Sequence, residues 1–251
     1  MDELIVEPQG AWVRLVLNRP SAKNALNTAL LGRLAAVLTD LAADAACRAV
    51  LLCGAGGNFA AGADIAEIAD KTSVEGEADL RKAHWAAIRD FPKPLVAAVD
   101  GVALGGGLEL ALLADLLVLG TSARLGLPEV NLGLIPGAGG GQRVLAQIGR
   151  ARASRMVMTG EIVSAEVAFG WGLGSYLVDD PLAEAAAICE ALTHRAPLAL
   201  RAAKAALRAG EDRMLALQAE RQGFEALLDS ADKAEGIAAF RAKRRAEFQG
   251  K

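Results

Sequence analysis

The chain has 251 residues and a mass of 25.9 kDa, with 53% hydrophobic and 23% charged residues, too apolar for a disordered polymer and long enough for one large core or two modest ones. Lys and Arg number 27 against 30 Asp and Glu, a formal charge of -3, and aromatics make up 4%. That excludes an overall basic field for nucleic acid or anionic lipid, and a platform for stacking bases.

In chain order, Leu4–Glu7 and Trp12–Asn18 read as a hairpin closed through Pro8-Gln9-Gly10. The spacing of Leu30, Leu34, Val37, Leu38 and Leu41 predicts a helix over about 27–41, capped by Asn27 or Thr28. Ala49–Cys53 reads as a buried strand that runs into Gly54-Ala55-Gly56-Gly57. A helix is predicted over 77–89, a strand over Pro94–Val99, a glycine turn with a helix from about Gly107, and a further strand over Leu116–Leu119. Strands separated by helices through about residue 180 predict an α/β fold with its strands inside layers of helix, and the sequence after Pro197 reads as helix only. Residues 195–251 hold 12 Lys and Arg against 8 Asp and Glu. This basic part is either a solvated face or a support for an anionic ligand or a neighbouring subunit.

The most apolar region, Leu95–Leu119, is interrupted by Asp100, Glu109 and Asp115. Each carboxylate would cost about 2.5–3.5 kcal/mol at a bilayer centre, so the region predicts a core and no membrane span. The acidic start MDELIVEP has no secretory or transit character, and Cys47, Cys53 and Cys189 lack CxxC spacing. Together they predict buried, reduced thiols in a cytoplasmic protein.

Three glycine-rich segments raise nucleotide binding. Neither Gly54-Ala55-Gly56 nor Gly137-Ala138-Gly139 is continued as GxGxxG, and none carries the P-loop lysine, which excludes dinucleotide and triphosphate binding by motif. Gly105-Gly106-Gly107 stands between a strand and an apolar helix. Free N–H groups there favour negative charge close to the backbone, and a tight packing corner is the alternative. Phe59-Ala60-Ala61-Gly62-Ala63-Asp64 is a second small-residue turn. Two N–H groups from such turns, converging on one oxygen, would form an oxyanion hole for a thioester or ester carbonyl becoming an enolate.

Glu109 opens the apolar helix, and Glu129 follows Gly126-Leu127-Pro128. Either alone suits a cap or a salt bridge. As a pair beside an oxyanion turn they favour acid–base work, because neighbouring buried carboxylates raise each other's proton affinity. His84 and His194 are isolated and lack metal-ligand spacing, so no metal is expected, and no GxSxG elbow offers a serine nucleophile.

These stretches, with Asn18-Arg19-Pro20, Asn24-Ala25-Leu26, Lys93–Val99, Ala103–Leu110 and Gly126–Glu129 through Pro136–Gly140, resemble the enoyl-CoA hydratase/isomerase (crotonase) superfamily over essentially the whole chain. The resemblance implies an α/β spiral of ββα units over 1–195 that holds the active site, then a helical part over 196–251 for trimerisation and for covering CoA. The expected assembly is a homotrimer or a dimer of trimers. The implied activity is reversible addition of water across the 2,3 double bond of a trans-2-enoyl-CoA, with no cofactor because CoA belongs to the substrate. The Ala63 and Gly106 N–H groups would form the oxyanion hole, Glu109 would orient and deprotonate the water, and Glu129 would supply the proton at Cα.

CoA itself is expected along Ala61, Ala63, Asp64, Ile65 and Ala66, with the Ala61 carbonyl near the adenine, Lys23 at a phosphate, and Phe240 and Lys243 at the nucleotide end on an adjacent subunit. The sequence departs from the family pattern at Gly141, where Thr is usual, and at Ala66, where Lys is frequent. Family isomerases commonly keep only the second acid, so the pair favours a hydratase over an isomerase or an acyl-CoA hydrolase. The acidic composition disfavours the RNA binding seen in some relatives. Among the branches, the segments Glu3–Val6, Phe59–Lys71 and Pro128–Gly140 look most like the 2,3-dehydroadipyl-CoA hydratase of phenylacetate breakdown, with acyl selectivity expected to lie in Asp70–Ala86.

Overall fold

The computed structural model describes residues 2–69, 73–208, 231–244 and 246–251. The chain opens with the antiparallel hairpin β1 (Leu4–Gln9) and β2 (Trp12–Leu17), in the register Leu4 to Leu17. Helix α1 (Thr28–Ala43) follows. Asn27 is its cap, with a side chain that accepts from Leu30 N at 2.7 Å, and Leu30, Leu34, Val37 and Leu38 form its buried face. Strand β3 (Ala49–Gly54) adds parallel to β2. Short helices α2 (Ile65–Ile68) and α3 (Ser73–Glu77) lead to α4 (Arg81–Arg89), which packs on α1.

From there the chain winds. Strands β4 (Leu95–Val99) and β5 (Val102–Leu104) are followed by α5 (Gly106–Ala111), and β6 (Leu116–Gly120) and β7 (Arg124–Gly126) by α6 (Gly140–Thr159). Each turn gives one strand to a six-stranded sheet of order β1-β2-β3-β4-β6-β9 and one to a three-stranded sheet of order β5-β7-β8. Strand β8 (Ile162–Ser164), helix α7 (Ala165–Trp171), strand β9 (Tyr176–Val178) and helices α8 (Pro181–Thr193), α9 (Pro197–Arg208) and α10 (Ala231–Ala242) complete the described elements. The large sheet is parallel from β2 onward and covered on both faces, which is why β3 and β4 read as unbroken apolar runs. All three cysteines lie in these cores, and burial pushes the Cys53 thiol up to about 11 and that of Cys189 to about 12, as expected of inert core thiols.

Two sequence expectations change. The helix predicted over 77–89 is two helices, because Asp79 accepts from the Arg81 N–H at 2.9 Å and closes a local turn between them. Of the basic residues of α9, Arg201 and Arg208 are exposed and Lys204 is turned inward. Lys204 Nζ donates to Lys93 O and to Asp115 Oδ2, both at 2.6 Å, and Arg208 donates to Arg89 O and Phe91 O. Those two cations hold the helix to the core. Of the remaining basic residues, Lys243 follows α10 in a left-handed conformation and is exposed.

Asp115 Oδ2 also accepts from Leu95 N at 2.8 Å, so one carboxylate ties the start of β4 to α9. Lys204→Met leaves Asp115 without its nearest cation and is expected to cost about 3 kcal/mol, the scale of breaking a buried pair, read as a lower urea midpoint with an unchanged slope.

Candidate active site

Three loops meet where the spiral switches sheets. The first follows β3. Asn24 is fully buried at its base, donating from Nδ2 to Ala55 O at 2.9 Å and Asn58 O at 2.7 Å while Oδ1 accepts from Arg19 N. Arg19 in turn pairs with Glu3 at 3.0 Å and Asp64 at 2.9 Å. Leu26 then clamps the loop: its N–H donates to Gly62 O and its carbonyl accepts from Asp64 N. Ala63 sits between these bonds, and its own N–H donates no hydrogen bond among the described residues.

The second loop is Gly105-Gly106-Gly107 at the start of α5. Gly105 has φ +50 and ψ -126, a combination that L side chains rarely adopt, and a Cβ there would lie 3.2 Å from Glu129 Oε1. A Cβ on Gly107 would stand 2.1 Å from Ala60 O, so this glycine lets the first turn of α5 press against the first loop. A Cβ built on Gly106 would stand 3.3 Å from Ala63 N. The Gly106 N–H, at the head of a helix, also has no acceptor among the described residues. Two unpaired N–H groups therefore lie side by side and can receive one oxygen bearing negative charge.

The third loop starts after β7, which pairs with β5, and Gly105 N donates to Gly126 O at 2.9 Å. A 3-10 turn, Pro128–Leu132, then carries Glu129. The two glutamates end in different environments. Glu109 is 4% exposed, and its Oε1 accepts from Ala138 N at 2.7 Å and Gly140 N at 2.8 Å, leaving Oε2 without a protein partner among the described residues. Glu129 Oε2 is buried with no hydrogen-bond partner among the described residues. Burial pushes the Glu129 carboxyl above its ordinary range, and the nearby charge of Glu109 adds to the rise.

All four groups line one cavity of about 350 Å³ whose remaining walls are mainly apolar, among them Leu26, Trp85, Leu132 and Ile135. Of the residues expected along CoA, Ala61 and Ile65 line the same cavity, and Ala61 N donates to Lys23 O at 2.9 Å, which sets the exposed Lys23 next to that strand of loop. Ala66 is exposed, and Asp64 is committed to Arg19 and to capping α2. Phe240 lies in α10 and its side chain falls outside the described residues, while Lys243 follows that helix and is not among the described residues that line this cavity. His84 packs beside Gly32 and His194 pairs with Glu190 at 3.2 Å, both away from it. A Cβ on Gly141 would meet nothing within 4 Å, so the unusual glycine leaves the neighbouring turn unstrained.

Of Asp70–Ala86, residues 70–72 lie outside the described residues, while Gly76, Asp79, Arg81, Lys82 and Trp85 reach the cavity. The individual members of that set carry no periodic signal by which sequence could separate them from their neighbours.

A family model described as enoyl-CoA hydratase/isomerase matches residues 8–251 of the chain. The chain is similar to the 2,3-dehydroadipyl-CoA hydratase of Escherichia coli strain K12, with 45% identity over the full length of both. Among solved structures it is similar to an enoyl-CoA hydratase subunit I from Geobacillus kaustophilus HTA426, with a TM-score of 0.95, 38% identity, and 100% of this chain and 99% of that one covered. An enoyl-CoA hydratase from Bacillus anthracis superposes with a TM-score of 0.93 at 36% identity over the whole of both chains.

The buried Glu129 carboxyl destabilises the fold once it ionises. As pH rises, the unfolded state loses this proton first, so stability falls between the ordinary carboxyl range and the raised folded value, and stays lower above it. Glu129→Gln is therefore expected to gain on the wild type in unfolding free energy between pH 4 and pH 7, measured by urea titration at both values. A constant or shrinking gap would contradict the placement of this carboxyl.

Proposed function

The chain belongs to the enoyl-CoA hydratase/isomerase family, and we propose that it works as an enoyl-CoA hydratase through Ala63, Gly106, Glu109 and Glu129. It adds water reversibly across the 2,3 double bond of a trans-2-enoyl-CoA to give a 3-hydroxyacyl-CoA. In the proposed mechanism the thioester oxygen accepts from the Ala63 and Gly106 N–H groups. Water sits between the two carboxylates. Glu109, aimed by the Ala138 and Gly140 N–H groups, takes a proton from that water as the water oxygen bonds to Cβ. The π electrons move onto the thioester oxygen as an enolate, and Glu129, protonated, returns a proton to Cα.

The observation that carries this assignment is the contrast between the acids: one has an oxygen fixed by two N–H groups, and the other has a buried, unpartnered oxygen and a raised pKa. A carboxyl whose burial favours its proton, beside one aimed by two N–H donors, suits a step in which one group gives a proton and the other takes one. No cofactor enters, since every proton and electron pair is supplied by water, substrate and the two carboxyls.

The finer reading rests on likeness to the 2,3-dehydroadipyl-CoA hydratase of Escherichia coli: the acyl group is a six-carbon dicarboxylate. To the same proposal belong a cytoplasmic location, a homotrimer or dimer of trimers, a core over 1–195, and a C-terminal part over 196–251 that covers CoA, with Lys23 and the Ala61–Ala66 segment along its arm and Phe240 and Lys243 at its nucleotide end. Analytical ultracentrifugation reads the assembly. No helix among the described residues is long and apolar enough to cross a membrane.

With crotonyl-CoA or 2,3-dehydroadipyl-CoA the 2-enoyl thioester absorbance is expected to fall as water adds. Glu109→Gln and Glu129→Gln should each keep the far-UV spectrum and CoA binding while kcat drops about 10²–10⁴-fold. A product with a shifted alkene or a free thiol would reassign the reaction, and wild-type rates in either variant would remove that residue from it.

A further inference from the structure

The cavity that holds the acid pair also holds an ion pair that the hydration step does not use. Asp79 and Arg81 both line it, with side chains only 10% and 15% exposed. Arg81 donates to Asp79 Oδ2 from Nε at 2.9 Å and from Nη2 at 2.7 Å, while its main-chain N–H donates to Asp79 Oδ1. The turn before α4 needs only the last of these bonds. The other two fix the guanidinium plane and leave Nη1 without a hydrogen bond among the described residues. Lys82, next in sequence, also lines the cavity, with Nζ bonded to Glu77 O at 2.9 Å.

An alkyl chain gains nothing from a guanidinium in its pocket. A carboxylate gains a great deal, because entering an apolar cavity is costly unless a charge and a hydrogen-bond donor are already in place. Asp79, Arg81 and Lys82 together carry one net positive charge, which one further carboxylate would neutralise. Arginine suits that task, since a fork held on one edge still offers parallel N–H donors on another.

We infer that Arg81, oriented by Asp79, binds a carboxylate at the far end of the acyl chain and makes the enzyme selective for dicarboxylic enoyl-CoA thioesters over alkyl ones of equal length. The inference rests on the hydratase reading and names the residue that would give it a substrate class. Lys82 adds charge from the cavity edge, and Arg81 supplies the directed hydrogen bond.

The test compares six-carbon thioesters with and without the distal carboxylate. For the wild type, the unreactive adipyl-CoA should inhibit crotonyl-CoA hydration at a concentration at least about tenfold below that of hexanoyl-CoA, the scale of one charge-assisted hydrogen bond. In Arg81→Met, the ratio of kcat/KM for 2,3-dehydroadipyl-CoA to that for trans-2-hexenoyl-CoA should fall about tenfold to a hundredfold, and Arg81→Lys should recover part of it. Equal inhibition of the wild type by both saturated thioesters, or an unchanged ratio in Arg81→Met, would overturn the inference. The wild-type comparison decides it even where a variant fails to fold. Hydration of trans-2-hexenoyl-CoA by the wild type keeps the hydratase reading standing in either case, whereas turnover of neither thioester would defeat that reading itself.

Discussion

Two peptide N–H groups, those of Ala63 and Gly106, lie adjacent with no acceptor among the described residues, while most neighbouring backbone groups are bonded. Unpaired donors are costly in a folded interior, so the surrounding chain must be rigid enough to keep them from finding partners. The Leu26 clamp holds the loop around Ala63 from both sides, and the contact of Gly107 with Ala60 fixes the helix that starts at Gly106. Neither device could be moved to a flexible loop. Each is anchored in a strand of the spiral, and the small sheet exists where these anchors meet.

The same geometry explains why the two glutamates differ. Both come from segments beside Gly105, yet Glu109 rises from a helix facing the start of α6, where the Ala138 and Gly140 N–H groups meet one carboxylate oxygen. Glu129 comes from a 3-10 turn that leaves its Oε2 facing no donor. Burial, with no partner for Oε2 among the described residues, favours the protonated form of Glu129. The contrast between the two sites follows from which backbone N–H groups lie within reach. The family resemblance implies different roles for the two residues, but local spacing gives no sign of the physical cause, because the donors come from positions 138 and 140.

How far the rest could be read in advance divides along physical lines. The runs Ala49–Cys53 and Pro94–Val99 and the leucine face of 27–41 are visible because complete or one-sided burial leaves a hydrophobic imprint. The three-residue strands β5, β7, β8 and β9 are too short for an alternating pattern, and the spiral shows itself only when their pairings are seen. The anchorage of Lys204 and Arg208 is invisible for another reason: charge counts do not tell which basic residue finds a buried acceptor. Asp79 and Arg81 hide in the same way, as an ordinary acid–base pair in a stretch without periodicity.

Lys204 and the active site are also connected through β4. The Asp115 carboxylate that receives Lys204 accepts the N–H of Leu95, the first residue of β4, and β4 runs through Gly101 into β5 and then into Gly105 and Gly106. Helix α9 thus grips the strand that leads toward Gly105 and Gly106. Strands β4 and β5 are short and wholly or largely buried, so they transmit a displacement at one end to the other with little internal give. The basic residues of the C-terminal part thus divide by physical role, Lys204 and Arg208 anchoring α9 to main-chain acceptors of the core while Lys243 stays exposed.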